Sequence, residues 1–317
     1  MTKTNQQKVK DFLINNGVII VMFILVIYTG FTSDNFFTKN NFMNILMNMS
    51  SRLVIALGIA GCVITAGCDL SAGRMIGFGA CISGMLLQRM DYSGKFFPDM
   101  QPLNVFVVAL IAMLVCAAFG TVTGFFIAYL NVPPFIATLA MMEIVYGIGL
   151  IVTNATPLGG YVEQYTNVSN GKFLGINYLI WIAIIVAAIT WFIFNMTRHG
   201  KYMYAIGGNP QAAEVAGVPV KATLILIYMK AAAMYGLAGF MLGAKAGGAS
   251  VQTGYGYEME AIAACTIGGV SVTGGRGKVS SAIIGVAVFE LLKVALQYLG
   301  MNANAQYIAC LLYTSPS

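Results

Sequence analysis

The chain has 317 residues, of which 58% are hydrophobic and only 9% charged, and its formal net charge is +6. Water-soluble domains carry about 25% charged residues, so this composition excludes a soluble globular protein and specifies an all-α, polytopic integral membrane protein. Cys62, Cys68, Cys81, Cys116, Cys265 and Cys310 stand in or beside apolar runs without a CxxC pair, and His199 is the single histidine, so neither a metal cluster nor a catalytic triad is expected.

Residues 1–16 form a polar, basic tail. The apolar run Gly17–Phe31 follows without a small-residue cleavage site and reads as a membrane helix rather than a signal peptide. Further spans are predicted at 53–67, 75–90, 103–130, 134–153, 177–196, 222–245, 259–275 and 279–299, nine complete spans within a membrane domain of residues 17–309. Several are short or glycine-rich. Broken helices persist in a bilayer only where protein or a water-filled cavity satisfies the freed backbone groups, which favours a transporter over an anchor.

Between the second and third spans lies "GCDLSAGR" (Gly67–Arg74). Asp69, Ser71, Gly73 and Arg74 are candidate gate residues; Asp69 and Arg74 either line an inner gate or anchor a cytoplasmic hairpin. Glu143 falls inside the 134–153 span, where an ionisable residue is a functional candidate by default. Thr153–Asn177 is the longest predicted external loop and Thr197–Lys221 the longest internal one.

The internal loop contains "GGNPQAAEVAGVPV" (Gly207–Val220). Asn209 is a good N-cap, Pro210 suits the first helical position, Gly217 suits the residue beyond the end, and Pro219 prevents continuation. Such a helix, about two turns long, is not stable alone and needs a packing partner. Ala212, Ala213 and Ala216 would permit close approach.

Lys230 lies mid-span at about the depth of Glu143, counting from the predicted inner ends. The two could pair across helices, or Lys230 could snorkel to the inner surface. "GVSVTGGR" (Gly269–Arg276) repeats the pattern of Gly67–Arg74 after 202 residues, which predicts a parallel internal repeat and adds Ser271, Thr273 and Arg276 to the candidate gate. Its extension through Gly277-Lys278-Val279 is not a phosphate loop, because Ser or Thr must follow the Lys and a Gly is missing at position 272. Glu290 and Lys293, three apart on one helix, read as a local structural pair. Ala305–Tyr313 begins a tenth apolar run that "TSPS" stops; nine helical residues rise only ~13 Å of a ~30 Å core. Residues 310–317 therefore read as an anomalous or truncated end to a chain of ten spans.

Orientation follows from Lys and Arg. With the N-terminus cytoplasmic, internal segments hold Lys3, Lys8, Lys10, Arg74, Arg198, Lys201, Lys221, Arg276 and Lys278 against Asp11, Asp69 and Glu214. External segments hold Lys39, Arg52, Arg89, Lys95, Lys172 and Lys245 against Asp34, Asp91, Asp99, Glu163, Glu258 and Glu260. The whole positive excess falls inside, so it is a topology signal and no nucleic-acid partner is needed to explain it.

"RHGKYMYAIGGNPQAAEVAGVPV" (Arg198–Val220) resembles the cytoplasmic coupling loop of ABC-importer permeases for simple sugars. "GCDLSAGRMIGFGA" (Gly67–Ala80), "NVPPFIATLAMMEIVYGIG" (Asn131–Gly149) and "AIAACTIGGVSVTGGRG" (Ala261–Gly277) are similar, in the same order, to other blocks of the ribose/galactose/xylose permease family. Met90–Met100 and "IAYLNVPPFIATL" are most similar to its galactose/methyl-galactoside branch. The resemblance implies a non-enzymatic permease in the bacterial inner membrane, working as a homodimer within membrane lipid. Separate ATPase subunits would hold ATP and Mg, and an extracytoplasmic binding protein would deliver the sugar. It implies that Gly207, Gly208, Asn209, Pro210, Ala212, Ala213, Glu214 and Gly217 meet the ATPase. It also implies a complete last span with a basic cytoplasmic tail, from which this chain departs. A proton-coupled sugar carrier, which would use charges such as Glu143, is the alternative of another class.

Overall fold

The computed structural model describes residues 17–302 apart from residue 34, so the tail 1–16 and the predicted tenth run lie outside the described residues. The first half comprises helices α1 (Gly17–Thr32), α2 (Lys39–Ile64), α3 (Ala72–Leu86), α4 (Val105–Tyr129) and α5 (Pro134–Thr153). A short helix α6 (Glu163–Asn170) and a small antiparallel hairpin, β1 (Lys172–Phe173) with β2 (Ile176–Asn177), lead to the second half. There follow α7 (Tyr178–Met196), α8 (Arg198–Gly208), α9 (Pro210–Val215), α10 (Val220–Ala246), α11 (Tyr257–Ile267) and α12 (Val279–Tyr298).

Local chemistry sets these ends. Asn104 caps α4 by accepting the Phe106 N–H at 2.9 Å, and Asn177 caps α7 by accepting that of Leu179 at 2.8 Å. Pro134 opens α5, and Asn154 closes it in the left-handed region.

Six helices among the described residues are long and apolar enough to cross a membrane: α2, α4, α5, α7, α10 and α12. The nine predicted spans are therefore not all confirmed among the described residues. The span predicted at 53–67 is the later part of α2, which starts at Lys39 and runs for 26 residues. Asn41, Asn44 and Asn48 made its first turns look like a loop, yet they share one helix face and line a polar pocket with Lys245 and Gln297. The segments predicted at 75–90 and 259–275 are half-helices instead, α3 with 15 residues and α11 with 11. Eleven residues rise only ~16 Å.

Helix α10 forms the centre, packed by α4, α3 and α2. Small residues allow the approach: a Cβ on Gly239 would stand 2.7 Å from the Ala80 nitrogen, and one on Gly120 would collide with the Tyr228 carbonyl. Gly58 faces Ala231 while Gly61 faces Ile227, so α2 and α10 run antiparallel. Each is followed by an irregular segment, 65–71 or 247–256, and then by a half-helix. The half-helix α3 packs on α10, and α11 packs on α2. The two helix-plus-half-helix units thus pack against each other with α2 and α10 running in opposite directions. The expected parallel repeat is not confirmed: Gly67–Arg74 runs through a buried segment into α3, whereas Gly269–Arg276 is a turn after α11 with Arg276 exposed.

Candidate functional site

At one end of the molecule, Asn209 caps α9 by accepting the Ala212 N–H at 2.9 Å, and Pro210 occupies the first helical position. The helix closes with Gly217 at φ 84°, the Gly217 amide donating to Glu214 at 3.0 Å and the Val218 amide to Ala213 at 3.0 Å. Ala213 turns into the chain. Ala212, Glu214, Val215 and Ala216 face outward, with Val215 91% exposed. Of the three alanines expected to permit close packing, Ala213 packs against the chain itself, while Ala212 and Ala216 are exposed.

This short helix is braced from behind. Gly207 lies so close to the Ile64 carbonyl and the Gly275 amide that a Cβ would collide with both, while beside Gly208 there is open space. The Gly275 amide donates to the Ile64 carbonyl at 2.8 Å, and Tyr204 donates its hydroxyl to Gly277 at 2.8 Å. The Ser271 and Thr273 hydroxyls bond each other at 2.8 Å. The capped helix, the end of α2 and the Gly269–Arg276 turn thus meet as one unit, a connection that spacing in the sequence did not signal.

A second site lies where the half-helices begin. Asp69 is buried and accepts the Ser71 amide at 3.0 Å, the Ser71 hydroxyl at 2.6 Å and the Tyr235 hydroxyl at 3.1 Å. It shapes the entry to α3 rather than anchoring an exposed hairpin. Glu258, on the first turn of α11, reaches the first turn of α3 at Gly73, where only hydrogen leaves room for it. Arg74 donates to the Gln252 side chain at 2.8 Å. Residues assigned by the charge count to opposite sides therefore meet inside the structure.

Residues 41–313 match the model of a family described as branched-chain amino acid transport system / permease component. The chain belongs to this permease family. It is 39% identical to the galactose/methyl galactoside import permease protein MglC of Escherichia coli (strain K12), over 97% of this chain and 94% of that one. Identity to the protein of the same name from Haemophilus influenzae is 41%, with the same coverage. The ribose import permease protein RbsC of Escherichia coli (strain K12) is 32% identical, covering 94% of this chain and 91% of that one. No solved structure matches. The chain is a multi-pass membrane permease subunit of the transporter class, not an enzyme.

Within this permease, the expected contact between Glu143 and Lys230 does not form. Glu143 is exposed on α5, whereas Lys230 lines a pocket with His199, Phe194 and Met203 between α2, α7 and α8. Similar depth does not make a contact when helix rotation points the side chains apart. Glu290 and Lys293 are tied to other helices. Arg52 of α2 pairs with Glu290 and also lies 3.1 Å from Glu260 of α11, to which Lys293 donates at 2.9 Å. The sequence expectation places Arg52 and Glu260 in external loops, whereas in the structure they lie on α2 and α11, because α2 begins at Lys39, well before Arg52.

Burial and the nearby Lys230 ammonium push the His199 imidazole down to about 4. An unfolded imidazole titrates near 6.5. Between these values the unfolded chain binds the extra proton, so stability falls as pH drops through that window and levels off below it. The melting temperature in detergent should be lower at pH 5 than at pH 7, and His199→Gln should shrink that difference.

Proposed function

We propose that this permease forms the translocation path of an ATP-driven monosaccharide importer, with galactose or a methyl galactoside as cargo. The capped helix Asn209–Gly217 carries the reading: it presents a short, rigid, outward face suited to a soluble partner, and it is braced against two elements of the membrane domain. Two permease copies would enclose the path. Separate ATPase subunits would bind ATP and Mg and push on the short helix, while an extracytoplasmic binding protein delivers sugar. Identity to the galactose/methyl galactoside permeases supports the cargo; the 32% identity to RbsC makes ribose the second candidate.

The charge count supports a cytoplasmic N-terminus even after the interior residues Arg52, Asp69, Arg74, Lys245, Glu258 and Glu260 are removed from it. The internal side then keeps Lys3, Lys8, Lys10, Arg198, Lys201, Lys221, Arg276 and Lys278 against Asp11 and Glu214, while the external side remains balanced. The inner membrane of a bacterium is the matching location.

Proteoliposomes holding the permease with its ATPase and binding protein should accumulate labelled galactose only when ATP is supplied. Uptake driven by a proton gradient without the ATPase would instead establish a secondary carrier.

A further inference from the structure

Arg74 stands on the first turn of α3 with its guanidinium between two rings, 4.0 Å from the Tyr146 centroid and 4.4 Å from that of Tyr255. Its Nη1 donates to the Gln252 side-chain oxygen at 2.8 Å, and the Gln252 side-chain Nε2 donates to the Tyr146 hydroxyl at 3.1 Å. The Arg74 Nε is buried and has no hydrogen-bond partner. Tyr255 is 58% exposed, and Gln252 is exposed as well. Tyr146 lies twelve residues into α5, well inside a helix long and apolar enough to cross the membrane.

A guanidinium, an amide and a phenol at that depth cannot face hydrocarbon, where unpaired polar groups are costly. The surface they form must meet water or another polar occupant. Its chemistry suits a neutral, polyhydroxylated ring. The exposed face of Tyr255 can stack on the apolar C–H face of a sugar, and Gln252 offers both a donor and an acceptor to hydroxyls. We propose that Arg74, Tyr146, Gln252 and Tyr255 form the sugar-contacting constriction of the translocation path.

This inference rests on the importer reading, and one assay separates the two. Uptake of galactose and of methyl galactoside, each presented by the same saturating binding protein, is measured in proteoliposomes together with ATP hydrolysis. In Tyr255→Ala and Gln252→Ala the ratio of the two maximal uptake rates should change at least threefold, and ATP consumed per sugar should rise. Tyr255→Phe should keep the ratio, since it keeps the ring. An unaltered permease that shows no ATP-driven uptake sinks the importer reading itself. Normal ATP-driven uptake with ratio and coupling unchanged in both alanine variants overturns the constriction. So does loss of a permease dimer on substituting Tyr255, which would make the surface a contact between copies.

Discussion

Gly207→Ala should reduce ATP-driven uptake below a tenth of normal, while Gly208→Ala, one residue on, leaves it intact. The first substitution drives a methyl group against the Ile64 carbonyl and the Gly275 amide, both backbone atoms with no rotamer to yield; the second enters open space. Overpacking of this kind costs about 1–3 kcal/mol, and here it falls where the capped helix is joined to the membrane domain. The pair controls for helix propensity, since Gly→Ala favours a helix at either position. Uptake and ATP hydrolysis measured together in proteoliposomes decide the matter. The expected signature in Gly207→Ala is hydrolysis that continues without transport. Equal uptake in both variants would mean that the contact behind the helix transmits nothing.

The reason to expect uncoupling rather than unfolding lies in the route a push would take. The Asn209 amide donates to Ala205 at 3.1 Å, so α8 and α9 are joined through a bonded corner instead of a free linker. From α8 the connection passes through Tyr204 to Gly277 and through the Gly207 contact to α2. From Gly277 it leads directly into α12. A rigid displacement of the short helix therefore acts on two long helices at once, one from each half of the chain.

How much of this was legible beforehand depended on the range of the interactions. The caps of α9 are local, and Asn209, Pro210 and Gly217 announce them because each residue type has a backbone preference that needs no distant partner. The long apolar helices α4, α5 and α7 were equally plain, since lipid-facing residues dominate them. What failed was whatever depends on which face of a helix is hidden. The asparagine stripe of α2 looked like a loop, because a hydropathy sum cannot distinguish an amide facing a pocket from one facing water. The half-helices α3 and α11 were extended into full spans because their flanking segments are apolar yet irregular. Glu143 and Lys230 were matched by depth without knowledge of rotation. Gln252 and Tyr255 carried no signal at all, since nothing local to them indicates that Arg74, more than 170 residues earlier, packs against them.

Arg52→Met should destabilise the permease by about 3–5 kcal/mol, the usual cost of leaving a buried charge without its partner. Glu260 and Glu290 are 4% and 1% exposed, and removal of Arg52 would leave two carboxylates sharing one ammonium, that of Lys293. Adding Glu290→Leu removes the uncompensated charge and leaves the neutral Glu260–Lys293 pair. The double variant should therefore recover most of the loss, against the additive behaviour expected of independent sites. Melting of the detergent-extracted protein, followed for both single variants and the double, gives the coupling directly. A double variant as unstable as the sum of its singles would show that the four residues do not act as one network. The arrangement also bears on mechanism. A proton carrier needs an acid that changes its charge during the cycle, whereas these two acids are each held by a base on another helix, Glu290 by Arg52 across to α2 and Glu260 by Lys293 across to α12. They fasten α2, α11 and α12 together at their polar contacts, so that a push on the short helix would meet a stiff set of elements.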